Sequence, residues 1–145
     1  MSLAMTKEER EAFLADLHVG VISIEQPGNA PLTVPIWYDY APATGVWIIT
    51  GDDSLKAKHL LAAGRFTLVA QSEDPAAYRY VSVEGPVVET RATDLERDLR
   101  PMAQRYLGTD IGNLYAENTG SAGQTVFVMQ PKKWRTVDYG KAGAS

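Results

Sequence analysis

The sequence predicts a single, mainly β domain with a few helices, whose strands close into a barrel. Six or seven runs of the chain are strand-like, and most connections between them are short. Only one small helix is inserted between the third and fourth runs. A sheet of this size is best stabilised by closing on itself, because closure removes unpaired strand edges. A length of 145 residues fits one such domain.

The chain begins with a predicted helix. Thr6 followed by Glu9 is the capping-box pattern, which predicts a helix from Lys7 to about Leu17. The apolar side of this helix carries Phe13, Leu14 and Leu17. We expect the helix to cover one end of the sheet with that side.

Three strand-like runs follow the helix, and turn residues separate them. The runs are Val19–Glu25, Leu32–Tyr40 and Val46–Thr50. Pro35 falls inside the second run. Because proline has no N–H to donate to a ladder, we expect that run to lie at a sheet edge, at a bulge or beside a ligand that uses the free backbone.

The small inserted helix is predicted from Leu55 to Ala63, and Gly64 is its expected C-cap. The remaining predicted strands are Arg65–Gln71, Tyr78–Glu89, Gln124–Gln130 and Trp134–Tyr139. Gly85 and Pro86 interrupt the longest of these strands and predict a bend.

A second helical region separates the long strand from the last two. A helix is predicted from Thr93 to Leu107, where Pro101 should kink or split it, and one or two further turns are predicted between Asp110 and Glu117. The predicted division of the chain is a leader at residues 1–4, one domain at residues 5–140 and a loose tail at residues 141–145.

Composition argues against several classes of partner. The formal net charge of −4 argues against nucleic acid, because phosphate backbones attract a basic face. The chain has no cysteine and only His18 and His59 as histidines, so neither a disulfide framework nor a transition-metal site is expected. No apolar run approaches the roughly 20 residues that span a bilayer, and the N-terminus lacks the apolar core of a signal peptide. We therefore expect a cytoplasmic protein that binds no membrane.

The most informative stretch lies at the start of the small helix. Ser54 is placed to be its N-cap, and the free N–H groups of a helix start attract anions together with the helix dipole. Lys56 and Lys58 put two cations into the same turn, where they are unfavourable unless an anion offsets them. The pattern predicts a phosphate-binding site. The alternative is a capped surface helix with solvated lysines, which is the commoner origin of such charge.

Five segments of the chain form a recognisable pattern: Leu32–Tyr38, Trp47–Thr50, Ser54–Lys58, Gly64–Phe66 and Tyr80–Val87. The pattern resembles the pyridoxamine 5'-phosphate oxidase-like family of split β-barrel flavoproteins, and the match covers roughly residues 7–139. Its most specific feature is the order of strand, threonine, Ser-x-Lys, helix and arginine. The resemblance implies a split-barrel homodimer that holds two FMN-type cofactors at the subunit interface.

The resemblance also implies which residues hold the cofactor. The phosphate would be bound at Thr50, Ser54, Leu55, Lys56 and Lys58. The isoalloxazine-type ring would lie against the backbone of Val34, Pro35, Ile36 and Trp37, with Ile49 packed nearby. Arg79 and Tyr80 belong to the strand that faces the site in relatives. Trp134 and Arg135 match a region that reaches the partner's site.

Two departures separate the chain from the pyridoxamine phosphate oxidase itself. The oxidase typically carries an arginine beside the phosphate-binding lysine, where this chain has Leu55, and a glutamine where this chain has Tyr80. The resemblance therefore favours a related oxidoreductase. The chain length and the stretch Pro35–Tyr38 look closer to an actinobacterial branch of the family, many members of which use the deazaflavin coenzyme F-420 in place of FMN.

Two classes of function stay open at this level. The first is an oxidoreductase that passes a hydride between the cofactor and a small conjugated acceptor; the cofactor supplies the chemistry, so no catalytic side chain is predicted. The second is a non-catalytic protein that binds or carries FMN, deazaflavin or haem on the same fold. An open, substrate-sized pocket above the ring would favour the enzyme. A covered ring, or a histidine aimed at an empty coordination position, would favour the binder.

Overall fold

A computed structural model describes residues 2–143 of the chain. Met1, from the predicted leader, and residues 144–145, from the predicted tail, lie outside the described residues. The described part contains the strands β1 (Gly20–Ile24), β2 (Leu32–Ile36), β3 (Asp39–Ala41), β4 (Gly45–Gly51), β5 (Arg65–Gln71), β6 (Arg79–Ala92), β7 (Gln124–Met129) and β8 (Lys133–Asp138). Its α-helices are α1 (Lys7–Ala15), α2 (Leu55–Ala63), α3 (Arg100–Leu107) and α4 (Thr109–Thr119). Shorter helical turns occur at Pro75–Ala77, Leu95–Leu99 and Tyr139–Gly143.

The strands form one antiparallel sheet that curls around a common core. Hydrogen-bonded neighbours follow the order β2-β1-β5-β6-β7-β4-β3, and β8 pairs with β6. The long strand β6 serves both halves of the sheet, because Arg79–Glu84 pairs with β8 whereas Val87–Ala92 pairs with β7. The predicted bend at Gly85 and Pro86 falls where the partner changes. A Cβ at Gly85 would collide with the carbonyl oxygen of Gln130, so only glycine fits at this crossing.

Two open strand edges meet on one side of the barrel. β2 ends the strand order and pairs only with β1. β3 ends it on the other side and pairs with β4 only from Gly45 to Trp47. Since only two residues connect β2 to β3, the end of β2 lies within roughly 10 Å of β3 and the strand beside it. Within the described residues, the barrel is therefore open between β2 and the second half of β4.

The core fills the inside of the barrel. Inward side chains alternate along the strands, as the period of a β-strand requires; those that are fully buried include Ile22, Ile24, Ile48, Leu68, Val81 and Val83. Ala57 and Leu60 of α2 join this core, as do Phe13 and Leu14 of α1. Burial of these two helical faces explains how short helices stay folded, since isolated helices of nine residues are unstable in water.

The helical region between β6 and β7 contains buried residues that do not belong to the barrel core. The buried apolar residues outside that core, of which two belong to β7, are Leu99, Met102, Ala103, Ala116, Val126 and Val128. Pro101 is the second residue of α3, at the point where a π-helical turn gives way to the α-helix, which confirms the predicted split. Gly112 lets α4 approach α3 closely, because a Cβ there would lie 2.6 Å from the Cα of Gln104.

The second predicted strand is wrong in one respect. The run Leu32–Tyr40 is two strands with a break at Trp37 and Tyr38, which brings the number of described strands to eight. Tyr38 leaves the ladder because its ring is completely buried and its hydroxyl donates to the Leu14 carbonyl at 2.7 Å. The Tyr38 N–H is bound by the Tyr106 hydroxyl at 3.0 Å in place of a strand partner. Tertiary contacts thus override the local strand pattern.

The first helix is also shorter than predicted. It ends at Ala15, and Leu17, which was expected on its buried side, is 58% exposed. The end is fixed by Arg105, whose guanidinium donates to the carbonyl groups of Ala15 and Asp16 at 3.0 and 2.8 Å. These bonds satisfy helix-end carbonyls that a further turn would otherwise have used.

The described parts of the predicted leader and tail contact the domain. Asp138 donates its N–H to the Leu3 carbonyl at 2.8 Å. Residues 141–143 belong to a 3₁₀ turn, and the Lys141 ammonium lies 2.7 Å from the Glu9 carboxylate. This ion pair, together with the Thr6 N–H, lowers the pKa of Glu9 to about 2. Within residues 2–143, no helix is both long enough and apolar enough to cross a membrane.

Candidate cofactor site

The predicted phosphate-binding residues lie where β4 ends and α2 begins. Ser54 is the N-cap of α2: its backbone is extended, and its hydroxyl accepts the Ala57 N–H at 3.0 Å. Because Ser54 satisfies Ala57, the N–H groups of Leu55 and Lys56 are left at the open end of the helix, where the helix itself provides no acceptor. The predicted N-cap is confirmed, and two backbone donors remain available beside it.

A pair of hydroxyl groups adds a third donor. The Thr50 and Ser54 hydroxyl oxygens lie 2.9 Å apart, with Thr50 buried and Ser54 half-buried. Only one of the two hydrogens is used in the bond between them. Whichever residue donates, the other keeps an O–H for a ligand.

The charges around the helix start are mixed. Lys56 is half-buried and Lys58 exposed, and neither forms an ion pair with a residue between 2 and 143. Asp52 and Asp53 precede them and oppose an anion. The Asp52 carboxylate is, however, bound by the Thr125 hydroxyl, and the Asp52 N–H donates to the Gly123 carbonyl at 2.9 Å. These bonds fix the turn before α2 to the start of β7.

The backbone strip Val34–Trp37 borders the opening of the barrel. Val34 and Ile36 pack against the core, whereas Pro35 points outward and is exposed. Of the three positions expected for Pro35, the structure shows the sheet edge. If the register that pairs Asp39 with Trp47 continued, Trp37 would face Ile49; the strands do not pair there. The opening therefore has the strip on one side and Ile49, Thr50 and Ser54 on the other.

Helix α3 holds the end of this strip. The rings of Trp37 and Tyr106 are stacked, with centroids 4.8 Å apart and planes within 7°. The Tyr106 hydroxyl lies 2.6 Å from the His18 carbonyl and 3.0 Å from both backbone groups of Tyr38, N–H and C=O. Arg105 adds a bond from its Nε to the Tyr38 carbonyl at 3.0 Å and pairs with Asp39 at 3.2 Å. Burial raises the pKa of Tyr106, so the hydroxyl stays protonated.

Four other predicted residues lie away from the opening in the single chain. The guanidinium of Arg79 lies 5.0 Å from the Phe13 ring, and Tyr80 sits beside Tyr78 on the outer face of β6. Trp134 packs under the Arg10 guanidinium at 4.4 Å. Arg135 is bound to Glu84 at 3.0 Å. Within one chain, none of these side chains is brought next to the strip.

The described residues form three cavities of similar size, of which one, of about 620 Å³, lies beside Gln71, Tyr78 and Tyr139, and the other two lie on the outer face of the sheet. One of these two, of about 600 Å³, contacts the strip at Pro35 and is also lined by Leu17, His18, Val19, Val69 and Gln71. The other, of about 590 Å³, lies near Arg65 and Lys133 and contacts none of the predicted site residues. Only the cavity beside Pro35 is connected to the candidate site. The residues that the structure describes contain no cluster of three or more histidines and carboxylates that could hold a metal.

Comparison with known proteins decides the family. The sequence model described as pyridoxamine 5'-phosphate oxidase matches residues 6–138. The chain belongs to this family. The curled antiparallel sheet with its opening is the split barrel of the pyridoxamine 5'-phosphate oxidase family. No curated protein matches the chain in sequence.

Solved structures share this fold. A conserved hypothetical protein from Mycobacterium tuberculosis has 22% identity and a TM-score of 0.80, over 97% of this chain and 89% of that one. An F-420 reductase has 15% identity and a TM-score of 0.69, over 86% and 94%. A FAD-binding protein from Mesorhizobium loti has 16% identity and a TM-score of 0.67, over 93% and 94%. Haem-binding proteins are also among the similar structures. At these identities the likeness establishes the fold and not the ligand.

Sequence reasoning missed two groups of residues around the opening. Arg105 and Tyr106 fix the end of the strip from a distance of almost 70 residues along the chain. Leu17, Val19 and Gln71 line the cavity beside Pro35. No local pattern marks either group, because their proximity depends on strand register and on where α1 ends.

Proposed function

We propose that this protein binds a flavin-type cofactor in the opening of the barrel and uses it to pass a hydride to a small conjugated acceptor. FMN is the first candidate for the cofactor, and the deazaflavin coenzyme F-420 is the second. The observation that carries the proposal is the pairing of two features across one opening. Phosphate donors stand at the start of α2 on one side, and an unpaired backbone edge runs along Val34–Trp37 on the other.

The residues present fit the phosphate end of such a cofactor. A phosphate group accepts several hydrogen bonds and carries negative charge, and the site offers the N–H groups of Leu55 and Lys56, one O–H of the Thr50 and Ser54 pair, and the Lys56 ammonium. Helix starts bind phosphate for the same two reasons, free N–H groups and the positive end of the dipole. Lys58 is further out and would contribute charge more than contact.

The residues also fit the ring end. The ring of a flavin or deazaflavin carries both acceptors and donors along one edge, and an open strand edge presents carbonyl and N–H groups in alternation. Pro35 removes one N–H from this edge, so the strip offers more acceptors than donors there. Ile49 supplies an apolar contact from the opposite side of the opening.

A bound, reduced cofactor would supply a hydride, which is two electrons and one proton, and would itself become oxidised, while a proton from water would complete the reduction of the acceptor. The protein residues bind and orient. The helix start fixes the phosphate, the strip fixes the ring, and Trp37 with Tyr106 keeps the strip in place. The cavity beside Pro35 leaves room for an acceptor, which supports the oxidoreductase over the non-catalytic binder.

The haem-binding alternative has less support in this chain. The His18 ring donates from Nε2 to the Phe13 carbonyl at 3.0 Å and is stacked on the Phe13 ring at 4.4 Å. Its Nε2 is therefore engaged within the protein and is not free to bind a haem iron. His59 lies on α2, behind the phosphate-binding residues.

We also propose that the protein is a homodimer whose two openings are completed by the partner. The support is a stripe of exposed apolar residues on α4, formed by Ile111, Leu114 and Tyr115. These residues are spaced so that they share one helix face, and exposed apolar stripes commonly mark interfaces. In a dimer, Arg79, Tyr80, Trp134 and Arg135 could serve the partner's opening, as the family resemblance implies.

The test is a titration of the purified protein with FMN and, separately, with the deazaflavin, followed by fluorescence. Lys56→Ala should weaken FMN binding about 10- to 100-fold, because a charge-assisted hydrogen bond is worth roughly 1.5–3 kcal/mol. Binding of riboflavin, which has the same ring and no phosphate, should be unchanged by the substitution. Lys7→Ala, on α1 and exposed, is the matched control.

The titrations have three decisive outcomes. Binding of one cofactor alone would fix its identity and the reductant for an acceptor screen. Equal losses of FMN and riboflavin in Lys56→Ala would contradict the assignment of the phosphate end. Binding of neither cofactor to the wild-type protein would refute the proposed function.

A further inference from the structure

The cavity beside Pro35 has a floor made of one row of side chains. Val21 pairs with Pro35 on one side and with Val69 on the other. Since residues opposite each other in a sheet point to the same face, the three side chains line up across β2, β1 and β5. The cavity above them has a volume of about 600 Å³, within the range of small-molecule sites.

One wall of the cavity consists of exposed apolar residues. Leu17 and Val19 are 58% and 56% exposed and both line it. Their exposure follows from the early end of α1: Arg105 binds the Ala15 and Asp16 carbonyls, and Tyr106 binds the His18 carbonyl at 2.6 Å. These three bonds hold the segment in a conformation that presents two apolar side chains to solvent. Such a patch is unfavourable unless a ligand or partner covers it.

The cavity carries little charge. Glu73 is the one acidic residue in its lining, and no lysine or arginine lines it. His18 uses Nε2 to bind the Phe13 carbonyl, and burial lowers its pKa, so the imidazole is neutral at pH 7. An anionic ligand would find no counter-charge among the described residues that line the cavity.

One polar group is placed to orient a ligand. The Gln71 side-chain oxygen accepts the Tyr78 hydroxyl at 2.9 Å. With its oxygen engaged, the amide NH₂ of Gln71 is the group left to donate, and Gln71 lines the cavity. A carbonyl or similar acceptor oxygen on the ligand would match it.

We propose that this cavity binds the hydride acceptor, and that the acceptor is a largely apolar molecule that carries a conjugated carbonyl and no negative charge. The proposal rests on the proposed function, because Pro35 belongs both to the cavity and to the strip that borders the cofactor ring. A ligand on the Pro35–Val21–Val69 row would lie beside the strip Val34–Trp37. The Gln71 amide holds its carbonyl, and Leu17 and Val19 cover its apolar part.

The test uses two probes that differ in one charge. Cinnamamide is flat, conjugated and neutral, and cinnamate is its anionic counterpart. Binding of each is measured by isothermal titration calorimetry, with the cofactor-free protein and with protein saturated by whichever cofactor binds. Cinnamamide should bind at least tenfold more tightly than cinnamate, because the cavity offers no cation.

A substitution in the wall tests the location. Val19→Asp should weaken cinnamamide binding at least tenfold and leave FMN binding within twofold. Val88→Asp, at an equally exposed valine on β6 outside the cavity lining, should change neither. Thermal melting of both variants checks that they fold; Val19→Ser is the milder substitute if Val19→Asp does not.

Different results would contradict the ligand class, the location of the site and the proposed function. Equal binding of the two probes would overturn the assigned ligand class, and loss of FMN binding in Val19→Asp would show that the cavity belongs to the cofactor instead. Cinnamamide binding that is insensitive to Val19→Asp would overturn the location. If the wild-type protein binds cinnamamide but neither cofactor, the proposed function fails and the ligand is not a hydride acceptor.

Discussion

At the scale of single residues, His18 shows how a side chain acquires a role from its surroundings. The ring is half-buried between Phe13 and the cavity, and its backbone carbonyl is held by Tyr106. Burial lowers the pKa of His18 below its ordinary value of 6.5, against smaller opposing effects of the Phe13 carbonyl and Asp16. The neutral form is therefore the one that the fold stabilises.

This shift predicts a pH dependence of stability. Below pH 6.5 the unfolded chain binds a proton at His18 that the folded chain resists, so the free energy of unfolding should fall as pH falls from 7.5 to 5.5. His18→Gln, which keeps a donor for the Phe13 carbonyl, should lose this component, and its stability should fall less steeply. Denaturant unfolding at several pH values measures it. His59→Gln is the control and should follow the wild type; parallel curves for His18→Gln and wild type would contradict the prediction.

The residues expected to bind phosphate could be predicted from the sequence because they lie close together along the chain. Thr50 at the end of the strand, the N-cap Ser54 and the lysines of the first helical turn lie within nine residues, and the structure confirms the helix from Leu55 to Ala63 and its capping. Whether these residues bind a phosphate stays a prediction. The sequence singled out Thr50 and Ser54 as separate residues, but only the structure shows the hydrogen bond between their hydroxyl groups.

At the scale of elements, helix α3 positions two other parts of the chain, and no local pattern in its sequence predicts this role. Arg105 and Tyr106 reach across to the break between β2 and β3 and to the end of α1. Without them the Tyr38 N–H would be a buried donor without a partner. The helix therefore fixes both the strip and the wall of the cavity.

Removal of the Tyr106 hydroxyl tests this positioning role. Tyr106→Phe keeps the stack on Trp37 and leaves the Tyr38 N–H without its partner, which should cost about 1–3 kcal/mol of unfolding free energy. For a domain of this length that corresponds to a fall in Tm of roughly 3–10 °C. Tyr139→Phe, at a half-exposed tyrosine, should change Tm little. Equal melting of the two variants would argue that the hydroxyl network is unimportant.

The Tyr106→Phe variant also separates the two ends of the cofactor site. If α3 positions the strip, riboflavin and FMN should both bind more weakly, by the same factor, because the ring is common to both. Lys56→Ala should change their ratio, as argued above, whereas Tyr106→Phe should not.

At the scale of the whole molecule, the open question is the assembly. Strand β2 and half of β4 leave backbone edges free, and α4 leaves Ile111, Leu114 and Tyr115 exposed. Open edges and apolar stripes are features that proteins usually cover. A second copy of the chain would cover them and would complete the opening.

The dimer has a direct test. Light scattering after size-exclusion chromatography should give twice the mass of the chain for the wild type. Leu114→Glu should shift it toward the monomer, because a charge would be buried in an apolar interface. Leu61→Glu, at an equally exposed leucine on α2, should remain dimeric. A monomeric wild-type protein at micromolar concentration would refute the dimer.

The sequence by itself determined the order and kind of most elements and the capped helix start, and Pro35 restricted its strand to an edge, a bulge or a ligand site, because alternation, caps and proline act over a few residues. α2 and β5 have the bounds predicted for them. It also carried the family resemblance. Only the tertiary structure decided that Leu32–Tyr40 breaks in two, that α1 stops before Leu17, and that a cavity forms beside Pro35. Each of these depends on Arg105, Tyr106 or strand register, and contacts between residues 20 to 90 positions apart leave no local pattern to read.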